Sequence, residues 1–238
     1  MILETRIMFL LQKALLLEVF NMKLAIIDYG SGNLRSVQNA FNKNVIDNNL
    51  KIDIKVTNNL STIKSADYIV LPGVGSFPDC KKGLLQIDGL IDTLQEEIVV
   101  KEKLFLGICV GMQLMTDYSL EKIKTYGLGW LKGHLKKIDT SGNDYLGNKF
   151  RLPHMGWNNL QILDNSHPFL KNISDVDHFY FVHSYFLTEG IKHEILANTT
   201  YSHEVPAIIG NKNFFGVQFH PEKSSFAGQK IISNWLGL

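Results

Sequence analysis

The chain has 238 residues, of which 45% are hydrophobic and 20% are charged, and its net charge is +1. This composition is too apolar for a disordered chain, and it lacks the glycine or proline excess of a fibrous protein. Because 24 lysines and arginines nearly balance 23 aspartates and glutamates, charge alone indicates neither a nucleic-acid nor a membrane-surface partner. The two cysteines, Cys80 and Cys109, cannot form a disulfide framework, so we expect a cytoplasmic protein in a reducing compartment.

Residues 1–21 form a leader that differs from the rest of the chain. Its apolar stretch, residues 7–20, is interrupted by polar side chains. It is therefore too short and too broken for a membrane span, and no small-residue cleavage site indicates a signal peptide. We predict that the leader is not part of the fold and that one domain occupies residues 22–238.

Strand and helix patterns alternate from residue 23 onward. Apolar runs predict strands at residues 24–27, 52–56, 68–71 and 104–106. Helical spacing follows the first strand, spans residues 84–99 and resumes at residue 112. This order predicts an α/β fold with a mostly parallel central sheet flanked by helices.

After Gly127 the pattern changes to short strands joined by turns. We predict strands at residues 131–138, 179–186 and 214–219, and a final helix at residues 227–235. No internal repeat or linker interrupts the sequence. The second half therefore adds short antiparallel strands to a single α/β domain.

The most distinctive local pattern is Gly107-Ile108-Cys109-Val110-Gly111, between a predicted strand and a predicted helix. A sharp strand–turn–helix connection needs small flanking residues and exposes its central side chain at the carboxyl edge of the sheet. A free cysteine is also a common buried apolar residue, which is our interpretation of Cys80. For Cys109 the turn favours a nucleophile, with the N–H of Val110 directed at a developing oxyanion.

A thiol nucleophile requires a base, and the base requires an orienting partner. His220 follows an apolar strand and precedes Glu222 by two positions, which puts both side chains on one side of an extended chain. Glu222 can then fix the imidazole tautomer, although a surface turn is the alternative interpretation. For His183, a site role and a core role are about equally supported. The other six histidines, including His154, lack a matching carboxylate.

Pro72-Gly73-Val74-Gly75 follows the third predicted strand. Its glycines permit a backbone flip that would present an N–H to a substrate carbonyl. Taken alone, this segment would be interpreted as a plain turn.

Together these motifs resemble the class I (triad) glutamine amidotransferases, and among them the HisH family of imidazole glycerol phosphate synthase glutaminase subunits. The resemblance covers the chain from residue 22 to its end. The cysteine turn and His-Pro-Glu are common to many class I members, whereas Pro-His-Met-Gly-Trp-Asn and Pro-Glu-Lys-Ser are specific to the HisH type. The matching stretches are residues 27–34, 71–77, 106–114, 127–130, 153–158, 180–185 and 218–224.

The resemblance implies that glutamine is hydrolysed to glutamate and ammonia by a triad of Cys109, His220 and Glu222. It implies an oxyanion hole formed by backbone N–H groups of Val110 and of Gly73 or Val74. The segment around Glu121 matches the family only loosely. The implied substrate-binding residues are Gln113, Glu121, His183, Ser184 and Tyr185.

The resemblance also implies a heterodimer with a HisF-type (βα)8-barrel cyclase subunit. The ammonia would reach the cyclase by a protected route and be used to make imidazole glycerol phosphate and aminoimidazole carboxamide ribotide in histidine biosynthesis. Asn33 and Lys223 match positions near the contact between the two proteins, although an ordinary solvated lysine is the alternative for Lys223. The sequence contains no glycine-rich phosphate loop and no metal-ligand spacing, so we expect no cofactor and no metal.

Three other functions remain to be compared with this one. A HisH paralogue that supplies ammonia to a surface-sugar pathway would have nearly the same motifs. A non-catalytic protein that only binds a partner is disfavoured because Cys109, His220 and Glu222 are all present. A cysteine peptidase is disfavoured because Gln113 and the Pro-Glu-Lys-Ser stretch have no use in peptide hydrolysis.

Overall fold

The computed structural model describes residues 22–144, 146–190 and 192–238. The predicted leader, residues 1–21, lies outside the described residues. Within the described ranges, no helix combines the length and the apolar character needed to cross a membrane.

The strands alternate with helices in the first half of the chain and follow one another in the second half. The strands are β1 (Met22–Ile27), β2 (Ile52–Thr57), β3 (Tyr68–Gly73), β4 (Leu104–Cys109), β5 (Tyr118–Ser119), β6 (Thr125–Tyr126), β7 (His134–Lys137), β8 (His154–Asn159), β9 (Gln161–Ile162), β10 (His178–His183), β11 (Tyr185–Thr188), β12 (Ile195–Tyr201), β13 (His203–Asn211) and β14 (Phe214–Val217).

Most helices lie in the first half, where they connect parallel strands. The α-helices are α1 (Leu34–Asp47), α2 (Leu60–Ser65), α3 (Phe77–Leu85), α4 (Leu90–Leu94), α5 (Val110–Leu114) and α6 (Ser225–Leu236). A π-helical turn, Gln95–Val100, continues α4, and 3-10 turns occur at Pro168–Leu170, Lys192–Glu194 and Pro221–Lys223.

The central sheet has eight strands in the order β2-β1-β3-β4-β14-β13-β12-β9. The first five are parallel neighbours, and the last three join them by antiparallel pairing. The interior strands β3 and β4 are almost entirely buried, and β1 is buried from Leu24 onward, as strands covered on both faces must be. The predicted fold class, a mostly parallel sheet with antiparallel strands from the second half, is confirmed.

Two of the predicted elements are wrong in their extent. The single helix predicted at residues 84–99 is interrupted at Gly89, whose φ of 71° is left-handed and cannot continue a right-handed helix. The single strand predicted at residues 179–186 is two strands, because the chain leaves the β8–β10 sheet at Ser184 and joins β7 as β11. The first difference follows from the backbone conformation at Gly89, and the second from tertiary strand pairing, which local periodicity does not report.

The parallel strands bring several loops to one edge of the sheet. Gly73, the last residue of β3, is the register partner of Cys109, the last residue of β4. On the other side of β4, Val217 of β14 is paired with Ile108, so the segment that leads to His220 emerges beside Cys109. Residues far apart in sequence therefore converge at the carboxyl ends of β3, β4 and β14.

Close backbone packing at this edge requires glycine. A Cβ at Gly111 would overlap the carbonyl oxygen of Leu71, and a Cβ at Gly107 would lie 2.7 Å from the carbonyl of Gly111. Both obstacles are backbone atoms, which cannot rotate away as a side chain can. The strand-to-helix turn therefore tolerates no side chain at either position.

We predict that Gly111→Ala lowers the free energy of unfolding by about 3 kcal/mol or more, because a methyl group forced into this contact must displace β3. Gly142→Ala is the matched control, since a Cβ at Gly142 has open space around it and should change stability by less than about 0.5 kcal/mol. Urea denaturation of the two variants measures the difference. Equal stabilities would show that the turn can relax around the added methyl group.

Candidate active site

Cys109 has a backbone conformation that is rare for a residue with a side chain. Its φ is 55° and its ψ is −110°, at the junction of β4 and α5. Such a conformation costs about 1–3 kcal/mol and persists only where the surroundings enforce it. The residue is 4% exposed. Val110 is the first residue of α5, a position at which the N–H has no partner inside the helix.

His220 and Glu222 form a buried pair next to this turn. Nδ1 of His220 lies 2.8 Å from Oε1 of Glu222, and both side chains are 2% exposed. Nε2 of His220 is buried without a hydrogen-bond partner of normal geometry in the described chain. Burial alone would lower the pKa of His220, but its interactions with Cys109 and Glu222 outweigh burial and raise the pKa to about 10.

A cavity of about 230 Å³ opens onto these residues. Nine of the twelve residues that line it were predicted from the sequence as site residues. The other three, Gly75, Pro153 and Val182, had no predicted role. The lining residues are Val74, Gly75, Cys109, Val110, Gln113, Glu121, Pro153, Val182, His183, Ser184, Tyr185 and His220. Two predicted residues do not line the cavity. Glu222, the third member of the predicted triad, contacts His220, and Gly73 is paired with Cys109 in the register of β3 and β4.

Gln113 forms one wall of the cavity through a chain of amide hydrogen bonds. Its Nε2 donates to the carbonyl of Tyr185 at 3.2 Å and to Oε1 of Gln218 at 3.0 Å. Nε2 of Gln218 in turn points at Sγ of Cys109, 3.8 Å away. Sequence reasoning did not assign a role to Gln218, although it lies in the quoted stretch that contains His-Pro-Glu.

Glu121 reaches the cavity from the loop after β5. Its Oε2 accepts a hydrogen bond of 2.7 Å from the N–H of Phe77, the first residue of α3. This contact fixes the carboxylate at the cavity wall, among the other residues for which the resemblance implied a substrate-binding role.

The loop after β3 is held by residues that sequence reasoning also missed. The N–H of Val74 donates to Oγ of Ser31 at 3.1 Å, and the hydroxyl of Ser31 donates to the carbonyl of Val74 at 2.6 Å. The phenol of Tyr29 donates to the carbonyl of Pro72 at 2.7 Å. The predicted oxyanion role of Val74 is therefore not available in this conformation, because its N–H is already bonded to Ser31.

A second pair of histidines is buried beside the cavity. Nδ1 of His154 lies 3.0 Å from Nε2 of His183, whose Nδ1 lies 3.0 Å from the carbonyl of Tyr185. Burial lowers the pKa of His154 to about 3, helped by His183. Burial and the nearby His220 likewise lower the pKa of His183, to about 4. Both rings are therefore neutral near pH 7, in contrast to His220.

The two predicted interface residues lie outside the cavity lining. Oδ1 of Asn33 accepts from the N–H of Ser36 at 3.4 Å and caps α1. Nζ of Lys223 lies 5.4 Å from the ring centroid of Tyr180. Among the residues that the structure describes, no group of three or more histidine, cysteine or acidic side chains is arranged to hold a metal ion.

Known proteins with similar sequences belong to the family that the motifs of this chain resemble. The sequence profile of the family described as glutamine amidotransferase class-I matches residues 25–237. The imidazole glycerol phosphate synthase subunit HisH of Pelagibacter ubique (strain HTCC1062) is 45% identical over 91% of this chain and 100% of its own length. The proteins of the same name from Brucella suis biovar 1 and Rhodospirillum rubrum are each 42% identical, over 90% of this chain and 98% of their own lengths.

Solved structures show the same fold at low sequence identity. A crystal structure of a glutamine amidotransferase matches with a TM-score of 0.63 and 14% identity, over 90% of this chain and 99% of its own. The crystal structure of a putative GMP synthase protein from Thermoplasma acidophilum matches with a TM-score of 0.61 and 15% identity, over 91% of this chain and 92% of its own.

We predict that acid destabilises the folded chain between pH 6.5 and pH 5. Unfolded histidines take up protons below about pH 6.5, whereas folded His154 and His183 remain neutral, so the unfolded state binds more protons and is favoured. Each histidine should lower the free energy of unfolding by about 2 kcal/mol at pH 5. His220 is protonated in the folded state throughout this window because its pKa is raised, while unfolded His220 goes from about half to almost fully protonated, so it offsets the loss by only about 0.4 kcal/mol.

Urea denaturation at pH 6.5 and pH 5 measures this loss. His154→Phe should remove about half of it, because phenylalanine does not titrate in either state. An equal loss in the wild type and the variant would show that His154 is protonated in the folded protein.

Proposed function

The chain belongs to the class-I glutamine amidotransferase family and, within it, to the HisH subunits of imidazole glycerol phosphate synthase, and from this we propose how its residues act. The proposed reaction is hydrolysis of L-glutamine to glutamate and ammonia, for use by a cyclase subunit in histidine biosynthesis. The observation that carries the proposal is the cavity in which strained Cys109 lies beside His220, itself held by Glu222.

In the first half of the reaction, Sγ of Cys109 attacks the side-chain amide carbon of glutamine. His220, whose raised pKa favours the protonated ring, already holds the proton of the Cys109 thiol and gives it to the departing nitrogen, so the carbon–nitrogen bond breaks and ammonia leaves. Glu222 keeps Nδ1 of His220 occupied, which leaves Nε2 facing the reacting atoms. The product on the enzyme is a γ-glutamyl thioester.

In the second half, water replaces ammonia. His220 removes a proton from the water, which attacks the thioester carbonyl and releases glutamate and the free thiol. The N–H of Val110 is one donor for the oxyanion of both steps. The N–H of Val74 becomes a second donor only after its bond to Ser31 breaks and the peptide turns toward Cys109.

The substrate's amino-acid end is assigned to the opposite part of the cavity. Glu121 supplies a carboxylate for the α-ammonium, while Gln113 and the segment 183–185 form the remaining wall. The described cavity residues supply these contacts without a cofactor. Free thiols at Cys80 and Cys109 support a reducing compartment, and we propose the cytoplasm.

The partner is proposed to dock on the outer face of the small β8–β10 sheet. This docking face comprises Met155, Trp157, Tyr180, Val182 and Lys223. Met155 and Trp157 are 64% and 54% exposed, and Trp157 packs edge-on against Tyr180 with ring centroids 6.0 Å apart. Exposed apolar and aromatic residues grouped in this way are typical of protein interfaces.

The docking face also borders the cavity, because Val182 lines both. Ammonia that leaves Cys109 on this side would therefore emerge beneath a bound partner rather than into water. Since the relatives named above are subunits of imidazole glycerol phosphate synthase, we propose a HisF-type (βα)8-barrel cyclase as the partner. The same names favour histidine biosynthesis over a surface-sugar pathway.

We predict that Cys109→Ala abolishes glutamate release from glutamine, by about a thousandfold or more, because no other group can form the thioester. Turnover by the complex with added ammonium salts should remain at the wild-type level. The two rates are measured on the same complex with the cyclase and its nucleotide substrate. Loss of both rates together would contradict the separation of glutaminase and cyclase sites.

We predict that Trp157→Ala weakens binding of the purified cyclase by about tenfold or more, because central aromatic residues dominate interface energies. Ile46→Ala is the matched control. Ile46 is also strongly exposed, at 75%, but lies near the C-terminal end of α1 and is not part of the docking face. Calorimetric titration gives both affinities, and equal affinities for the two variants would exclude the docking face as the interface.

A further inference from the structure

A continuous line of hydrogen bonds, buried at its centre and partly buried at both ends, runs from β8 to the cavity, and the proposed reaction gives no role to His154 within it. Nδ2 of Asn158 lies 3.3 Å from Nε2 of His154, and Nδ1 of His154 lies 3.0 Å from Nε2 of His183. Nδ1 of His183 lies 3.0 Å from the carbonyl oxygen of Tyr185. We call this line the histidine relay.

The direction of every hydrogen bond in the relay is fixed by its two ends. A carbonyl only accepts, so Nδ1 of His183 must carry the proton, and its neutral ring then has a lone pair on Nε2. That lone pair requires Nδ1 of His154 to donate, which leaves Nε2 of His154 as an acceptor. The amide of Asn158 supplies the matching N–H, since the same Nδ2 also donates to the carbonyl of Thr200 at 2.9 Å.

Packing holds His154 in the orientation that the relay needs. Its ring is stacked on Phe181 with centroids 4.8 Å apart and on Tyr201 with centroids 4.1 Å apart, at interplanar angles of 18° and 17°. His154 is 3% exposed and His183 is 5% exposed. As register partners on β8 and β10, the two histidines share the buried face of that small sheet. The donor at Nδ1 of His154 is therefore held in place before any ligand binds.

The relay ends on an atom that also supports the glutamine-binding wall. The carbonyl of Tyr185 accepts one hydrogen bond from His183 and a second from Nε2 of Gln113. Gln113 is in turn bonded to Gln218, whose amide contacts Sγ of Cys109. A change in the tautomer of His183 would remove one of the two donors and release this wall.

We propose that His154 is a positioning residue for glutamine binding. By donating from Nδ1, it holds His183 in the single tautomer that fixes the carbonyl of Tyr185. This role rests on the proposed glutaminase function. His154 does not touch the reacting atoms and acts only through His183.

The relay also keeps a second charge away from His220. His220 and His183 both line the cavity, and their interaction is repulsive when both are protonated. Nε2 of His183 is occupied by the N–H of His154, so it has no free lone pair for an extra proton. One charged imidazole and one neutral imidazole can then coexist in the same cavity.

Three variants separate hydrogen bonding from packing at position 154. His154→Phe keeps an aromatic ring between Phe181 and Tyr201 but removes the donor. His154→Asn loses the ring but keeps an N–H near the position of Nδ1. His134→Phe is the matched control, because His134 is a buried histidine stacked on Tyr118 at 4.7 Å, outside the cavity.

The first measurement is the rate of glutamate release as a function of glutamine concentration, with the wild type and each variant in complex with the cyclase. We expect His154→Phe to raise KM for glutamine about tenfold with kcat changed by less than about threefold, since an unpaired buried acceptor is left at His183. His154→Asn should restore KM to within about threefold of wild type, and His134→Phe should match wild type. An unchanged KM in His154→Phe, or no rescue by asparagine, overturns the proposal.

The second measurement is the 15N chemical shifts of the histidine rings in the wild-type protein at pH 7, which requires neither activity nor a variant that folds. We expect both His154 and His183 to carry their proton on Nδ1. A protonated Nε2 on His183 overturns the proposal. Absence of glutamate release by the wild-type complex would instead overturn the proposed function, so the two failures are distinguishable.

Discussion

A cysteine with a φ of 55° remains in that conformation only if its neighbours hold it from several sides. Here Gly111 packs against the carbonyl of Leu71, and Gly107 packs against Gly111, so that strand β3, strand β4 and the following helix lock together. The register of the parallel strands then places Gly73 on one side of Cys109 and the segment leading to His220 on the other. The cavity, the proposed base His220 and the proposed glutamine-binding wall all take their positions from this turn.

The cavity combines one histidine that binds a proton strongly with another that does not. His220 faces Cys109 and Glu222, which raise its pKa, whereas His183 faces His154 and a carbonyl in a buried setting that lowers its pKa. Both rings are almost fully buried, so burial alone does not explain the difference. The difference comes from Cys109 and Glu222, which outweigh burial at His220, whereas burial and the nearby His220 prevail at His183 and lower its pKa. In the proposed reaction, proton transfer is thereby confined to His220.

The loop after β3 connects catalysis to the surface of the molecule. The N–H of Val74 is bonded to Ser31, and α1 begins shortly after Ser31 and packs against the 3-10 turn that contains Lys223. Lys223 lies over Tyr180 on the docking face, which also borders the cavity through Val182. A partner bound to this proposed docking face would contact elements adjacent to the loop after β3, which would give binding a physical route to the rotation proposed for the Val74 peptide.

The sequence by itself determined the fold class, the strand–turn–helix around Cys109 and the close pairing of His220 with Glu222, because each depends on local periodicity, glycine spacing or a separation of two residues. It did not determine the interruption at Gly89, the division of residues 179–186 between two sheets, or the contacts of Ser31, Gln218 and His154. Those contacts join positions 29 to 105 residues apart. Only strand register and packing bring such positions within hydrogen-bond distance, so the tertiary structure alone decided them.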